Sequence, residues 1–364
     1  MKLLFIAERF PPSVGGQQSL NYGIYQQFRK HVKTYLMTPG LYLWFNLHKL
    51  WFFPYVLLAG VALCARRNIT HIHVSSARVA FLGYLVSRLF DVKLSVAVHG
   101  LDITLAGKFI TYKYLAPYAL RRYDAIICNS RATLEQCVRI GVDRARCHVV
   151  YPGVDVHTNG RGVDKPVARA KLKEHAGVDV IGKTVITTVG RLVRRKGVAW
   201  FVDRVVPLLP PHFVYLVLGS GAELGRIREI IRRRQVASRV HLLIDVPDAL
   251  RDLVYDAADV FVMPNIRVPG DREGFGIVNL EAGMHDLPVV ASGIEGIRDA
   301  VIDGVTGCLV EDGNPSSFVE GLHEVLSWDA EPGRISAAVR ATYSLEASYR
   351  AYEDILGLAV AAAS

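Results

Sequence analysis

Two open, doubly wound α/β domains are predicted for this chain, and three observations predict them. Short, almost wholly apolar β-rich runs alternate with helical stretches, the pattern of parallel strands covered on both faces. The alternation stops in a polar, Gly-rich stretch at 153–164 and then begins again, which reads as a linker between two such units. The length of 364 residues suits two domains at roughly 100–200 residues each.

In the first half, strands are expected at residues 2–7, 32–37, 71–75, 93–98, 124–129 and 148–151. Helices are expected at 17–30, just after Gly16, and at 77–90. The apolar stretch 50–65 falls short of the ~18–20 residues that span a bilayer, and Pro54 interrupts it, so it reads as a buried or interfacial helix. In the second half, strands are expected at 184–189, 213–218, 240–244, 260–263 and 288–292. Helices are expected at 198–208, 223–234, 250–258, 279–285 and 345–356. The expected division is 1–160, 161–345 and a terminal helix at 346–364.

Composition narrows the function. A 51% hydrophobic content excludes a disordered chain. The apolar run at 3–7 is too short for a signal peptide, so no secretion is expected. The five cysteines are scattered, with no CxxC pair and no His cluster at zinc spacing, and the odd count fits a reducing compartment. The net charge of +9 favours an anionic partner, whether phosphate, nucleic acid or an acidic membrane.

Ligands of doubly wound sheets sit beyond the carboxyl ends of the strands, and two facing domains make the cleft between them the default site. The loops that follow strands therefore carry the candidates. The first is Glu273-Gly274-Phe275-Gly276-Ile277-Val278-Asn279-Leu280-Glu281. Its Gly-rich turn lets backbone N–H groups approach an anion, and carboxylates beside such a cradle accept from vicinal hydroxyls, which suits a sugar phosphate. The alternative is a helix cap with a solvated Glu. The second candidate runs from Gly190 to Gly197 and offers Arg191 and Lys196 to a pyrophosphate, with Arg194 and Arg195 expected to be solvated. The alternative is a basic surface loop.

Three weaker candidates follow. Gly15 and Gly16, after the first strand, allow close backbone approach to a ligand. His99, at the end of strand 93–98, can bond a substrate hydroxyl, with Asp102 to orient it, although a lone His is more often structural. Gly219-Ser220-Gly221, with Gly225 and then Asp245, imitates a dinucleotide fingerprint, but the last glycine is one residue too far. The arginines at 226, 228 and 232–234 read as a solvated helix face, because no aromatic residues interleave them, so no nucleic-acid partner is expected.

At these residues the chain resembles the retaining glycosyltransferases of family 4, which have the GT-B architecture. The resemblance covers nearly the whole length. Glu273 to Glu281 matches the E-x7-E motif of that family, and Asp256-Ala257-Ala258-Asp259-Val260, Leu287-Pro288-Val289-Val290 and Asp303-Gly304-Val305-Thr306-Gly307 follow its pattern. Asn129-Ser130 and Tyr151-Pro152-Gly153-Val154-Asp155 are typical of its first half. Two segments depart from it. Met284-His285-Asp286 stands where Ala-Cys-Gly is common, and Glu295-Gly296-Ile297-Arg298-Asp299 where Gly-Gly-Ile-Pro-Glu is common. Both read as donor tuning.

The resemblance implies a retaining hexosyltransferase acting from a nucleoside diphosphate sugar onto a saccharide or lipid-linked acceptor. It implies that Glu281 holds the ribose and Glu273 the sugar hydroxyls. Arg191 and Lys196 would clamp the diphosphate, helped by Gly16 and the turn at Phe275-Gly276-Ile277. Val246 would contact the base, and His99 would lie near the transferred sugar. It further implies a last helix that crosses back to the first domain, no metal requirement and a front-face reaction. The expected location is cytoplasmic, with a peripheral place on the inner face of the cytoplasmic membrane. The bulky apolar residues and flanking cations of 41–67 suit a membrane interface, and equally suit a core helix under the first sheet. The competing readings are a nucleotide-sugar epimerase and a non-catalytic nucleotide-sugar binding module.

Overall fold

The computed structural model describes residues 1–11, 16–38, 48–104, 110–155, 162–329 and 331–357. It contains two compact units. One is Met1–Asp155 with Gly270–Phe275 and Tyr343–Ser364, and the other is Val156–Pro269 with Gly276–Thr342.

The first unit is built on six parallel strands: β1 (Lys2–Ile6), β2 (Lys33–Met37), β3 (His71–Val74), β4 (Lys93–Val98), β5 (Ala125–Cys128) and β6 (Cys147–Val149), in the order β2-β1-β3-β4-β5-β6. The second unit has β7 (Thr184–Val189), β8 (Phe213–Leu218), β9 (Val240–Leu243), β10 (Val260–Met263), β11 (Val289–Ser292) and β12 (Gly307–Val310), in the order β12-β11-β10-β7-β8-β9. Apolar runs make these strands because both faces of each sheet are covered; all six residues of β8 are buried. Each chain path leaves its first strand in one direction and later returns to that strand's other side. The order thus reverses between β1 and β3, and between β7 and β10. Those reversals open a crevice at the carboxyl ends.

In the first unit, helix Gly16–His31 buries Ile24 and Phe28 against one face of the sheet. The last helix, Leu345–Leu356, joins it there: the rings of Tyr349 and Tyr352 lie 5.7 and 5.8 Å from that of Phe28. Its start is pinned by Val154, whose N–H donates to Tyr343 O at 2.8 Å and whose carbonyl accepts from Leu345 N at 3.1 Å. Ser344 caps it through Ala347 N. The terminal helix therefore belongs to the first unit, as expected.

Helix His48–Arg67 runs straight through Pro54, which was expected to interrupt it. Proline at the seventh position removes one N–H near the start, where the ladder is only beginning. The helix buries Phe52, Val56 and Cys64 in the core and leaves Phe53 and Leu58 exposed, Leu58 at 75%. Among the described residues no helix is long and apolar enough to cross a membrane. Residues 41–47 of the interfacial expectation lie outside the described residues. So do 156–161 of the expected linker.

Candidate functional site

The order reversal in the second unit brings two loops to one corner. Residues 190–197 follow β7. Gly190 N donates to Leu218 O and Leu192 N to Ser220 O, both at 2.9 Å. Leu192 is buried beneath the loop and Arg191 is exposed above it. The short turn Arg194–Lys196 folds toward the segment after β10, where Ile266 N donates to Arg195 O at 2.9 Å. That packing overturns one expectation: Arg195 is 6% exposed and not solvated, while Arg194 is exposed and Lys196 half-buried. Arg191 makes no ion pair among the described residues.

The fingerprint-like glycines have a packing role here. Gly219 adopts φ +134°, and a Cβ on it would collide with Gly190 O. Only glycine lets the loop after β8 press against the loop after β7.

Glu281 sits in the first turn of helix Val278–Met284. Tyr255 donates its hydroxyl to Glu281 Oε2 at 3.1 Å. Burial pushes the Glu281 carboxyl above the ordinary glutamate range, against the opposing pull of Arg251 and of the Tyr255 bond. Burial and the Glu281 charge hold the Tyr255 phenol well above its usual range, so it stays a donor. Arg251 is itself paired with Asp248 at 2.8 Å and Asp252 at 3.0 Å. Sequence reasoning missed Tyr255 and Arg251. They are four residues apart on helix Asp248–Ala257, one turn from each other, and nothing local links them to residue 281.

The segment that departs from the family pattern is part of this architecture. His285 Nδ1 donates to Asp256 Oδ1 at 2.7 Å with both side chains buried, and Asp256 Oδ2 accepts from Gly162 N and Val163 N at 3.1 Å. Asp286 accepts from Ile335 N at 3.0 Å and Ser336 N at 3.1 Å, capping helix Arg334–Tyr343. Val246 is half-buried against the core on this side of the sheet. Gly276 is buried with φ +89°, beside Met263 and Asn279, and Ile277 precedes the helix.

In the first unit the loop after β4 forms a second corner. His99 N donates to Asp102 Oδ1 at 3.0 Å, and the other carboxylate oxygen accepts from Ala77 N at 2.9 Å. Asp102 thus fixes the backbone and does not orient the imidazole as expected. The ring is held by Ser75 instead, with Nε2 3.0 Å from Ser75 O. A carbonyl only accepts, so Nε2 carries the proton and Nδ1 of the neutral ring keeps a lone pair. Gly274 lies against this loop. A Cβ there would collide with His99 O and come within 2.9 Å of Asn129 Nδ2, so the backbone beside Glu273 meets the His99 corner. Phe275 is buried and stacks on Tyr151 at 5.8 Å, which leaves its backbone for any ligand. Gly16 is the exposed first residue of its helix, and Gly15 lies outside the described residues. Among the described residues no group of three His, Cys, Asp or Glu side chains is placed to hold a metal ion.

Two sheets of this topology, each with an order reversal beside its first strand, define the GT-B class. Comparison with solved structures agrees. Anabaena Alr3699/HepE in complex with UDP and glucose superposes with a TM-score of 0.77 at 20% identity, covering 98% of this chain and 99% of that one. A family model described as "Glycosyltransferase Family 4" matches residues 22–158, and one described as "Glycosyl transferases group 1" matches residues 183–327. The alpha-maltose-1-phosphate synthase of Mycolicibacterium smegmatis is 30% identical over 289 residues, 73% of this chain and 71% of that protein. The D-inositol 3-phosphate glycosyltransferase of Xylanimonas cellulosilytica is 35% identical over 226 residues, 60% of this chain and 52% of that protein. The chain spans about half the length of the D-inositol 3-phosphate glycosyltransferases it matches. It belongs to glycosyltransferase family 4.

Proposed function

We propose that this chain is a retaining hexosyltransferase that moves a sugar from a nucleoside diphosphate donor to a lipid-linked or polysaccharide acceptor. The observation that carries the reading is the order reversal between β7 and β10, because it gathers the Arg191 loop and the segment leading to Glu281 at one crevice. The Glu281 carboxylate can accept from both ribose hydroxyls while Tyr255 occupies one of its lone pairs. Arg191 and Lys196 supply positive charge to the diphosphate as its terminal C–O bond breaks. Glu273 and the Nδ1 of His99 accept from hydroxyls of the transferred sugar.

In a front-face reaction the acceptor oxygen bonds to the anomeric carbon on the side the diphosphate leaves. The departing phosphate oxygen takes the acceptor's proton. The protein's part is then positioning and charge stabilisation, with its own cations on the diphosphate.

Two measurements test the reading. Incubation with donor sugars should give turnover only when an acceptor is present; a changed sugar on the donor alone would identify an epimerase, and no turnover with any acceptor would leave a binding module. By calorimetry, Glu281→Ala should weaken nucleoside diphosphate binding by ~10–100-fold, the loss of hydrogen bonds to a charged group. Because the folded carboxyl titrates above the ordinary glutamate range, wild-type affinity should fall as pH drops through that raised value, and the variant should show no such limb. Equal affinities at every pH would remove Glu281 from the site.

A further inference from the structure

The first unit carries a recess at the amino ends of its strands, at the other end of the sheet from its His99 corner. Residues 9–123 hold fourteen Lys and Arg against two Asp and no Glu, more than the whole chain's net charge of +9. Parallel β-α-β topology returns each helix to the amino edge of the sheet, and cations recur at those returns: Arg66 and Arg67 before β3, Arg88 before β4, Arg121 and Arg122 before β5, Arg146 before β6.

Four of them, Arg88, Arg121, Arg122 and Arg146, line an open recess of about 630 Å³ floored by Tyr84 and Phe90. Arginine at a helix C-terminus is ordinary, since it offsets the helix dipole. Here the geometry goes further. Arg121 Nε donates to Ile140 O at 3.2 Å, Arg122 Nη1 to Tyr118 O at 2.7 Å, and Arg146 Nη1 to Tyr123 O at 3.3 Å. Neutral carbonyls thus fix the Arg121 and Arg122 guanidinium groups without cancelling their charge, while Arg146 also lies 4.0 Å from Asp143 Oδ2. Among the described residues Arg88, Arg121 and Arg122 form no ion pair. Asp124, the one carboxylate at the recess, is taken up by Leu94 N at 2.7 Å. Leu89, between the lining residues Arg88 and Phe90, is 66% exposed; the exposed ring of Tyr118 lies 3.6 Å beneath the Arg122 guanidinium, and Tyr114, one turn earlier on the same helix, is 62% exposed.

We propose that this recess is a binding site for the phosphodiester headgroups of an anionic bilayer surface, with Leu89, Tyr114 and Tyr118 seated among the headgroups. Fixed guanidinium forks match phosphate oxygens, and amphipathic tyrosines beside them suit the water–hydrocarbon boundary. A small soluble phosphate would need the cations but not the exposed leucine. The proposal is independent of the transferase reading, because none of these residues belongs to the donor corner.

The test is cosedimentation of the full chain with vesicles of phosphatidylcholine alone, or of phosphatidylcholine mixed with phosphatidylglycerol. The wild type should bind the mixed vesicles, lose them in high salt, and ignore phosphatidylcholine. Arg88→Gln with Arg122→Gln should weaken binding by about 25-fold, the loss of two surface cations. Leu89→Ser should also lose affinity. A control pair on the second unit's exposed helix, Arg228→Gln with Arg232→Gln, should bind as wild type. Melting curves establish that the variants fold. Wild-type binding by the double variant, or equal binding to uncharged vesicles, would overturn the proposal. Full release by millimolar inorganic phosphate at constant ionic strength would also overturn it, marking a pocket for small phosphates.

Discussion

The two units share a sheet plan and differ in where they leave positive charge without a counter-charge. In the second unit Asp203 takes Arg204, Arg233 and Arg234, Asp259 takes Lys165 and Arg169, and Asp312 takes Arg267. Arg191, at the carboxyl end of β7, stands apart from these pairs. In the first unit the carboxyl-end loop at His99 is organised by a carboxylate, Asp102, and Arg88, Arg121 and Arg122, which form no ion pair among the described residues, line the amino edge. Arg191 thus stands at the carboxyl end of its sheet, and Arg88, Arg121 and Arg122 at the amino end of theirs. Charge compensation, more than charge count, separates a structural arginine from one available to a ligand.

The units also bury histidine differently, and this predicts the largest effect. The second pairs His285 with a carboxylate, whereas the first buries His73 with a hydroxyl, Ser95 Oγ at 2.8 Å from Nδ1, amid Phe5, Phe28 and Tyr352. Burial pushes the His73 imidazole down to about 3, with the neighbouring His99 a smaller cause. The unfolded chain takes up that proton near pH 6.5, so the stability from a neutral His73 is complete above that pH and is lost progressively as pH falls toward 3. The full loss is roughly 4–5 kcal/mol. Amide exchange in β1 to β6, followed against pH, should show the first unit opening before the second, and His73→Leu should flatten the decline. Equal acid lability of the two units would break the contrast.

Next in size is the donor corner. Arg191→Ala and Lys196→Ala should each lower kcat by ~10²–10³, as loss of a charge stabiliser does. Arg233→Ala, whose charge Asp203 already takes, should leave kcat near wild type. Near-normal turnover in both donor-corner variants would mean that an exposed cation at a strand end is not enough to identify a clamp.

The sequence carries much of this fold. Strands β4, β7, β8 and β10 lie at the residues expected for them, because buried parallel strands are continuous apolar runs with sharp polar ends. Strand β12 was missed: it is a four-residue edge strand that opens on Gly307, and a Cβ there would collide with Val289 O. Helix Lys165–Ala176 was missed because only Ala168 and Leu172 make its buried stripe. At the candidate site, the loop positions were legible because loops follow strands. Side-chain fates inside a loop were not. Arg194 and Arg195 are neighbours in sequence, yet one is exposed and the other buried, since the turn between β7 and its helix decides which face packs. Tyr255 and Arg251 reach Glu281 only through tertiary packing, and no spacing rule records that.

The smallest effect sharpens the contrast from the compensated side. Asp203 Oδ1 accepts from Arg234 Nε at 2.7 Å and Arg233 Nη2 at 3.0 Å. The Arg234 hydrogen bond, ahead of the Arg233 contribution, holds its carboxyl below the usual range. Stability from this group is present above the ordinary carboxylate pKa and is lost as pH falls through its lowered value. The arginines are largely exposed, so solvent screens the pairs, and Asp203→Asn should cost only about 1 kcal/mol, less in high salt, with kcat unchanged. That outcome fits a carboxylate whose task is to neutralise a helix end. A fall in kcat would mean instead that the helix Leu224–Arg233 and its arginines communicate with the Arg191 loop through Glu223, whose N–H donates to Leu192 O at 2.9 Å. Pairing would then no longer mark an arginine as merely structural.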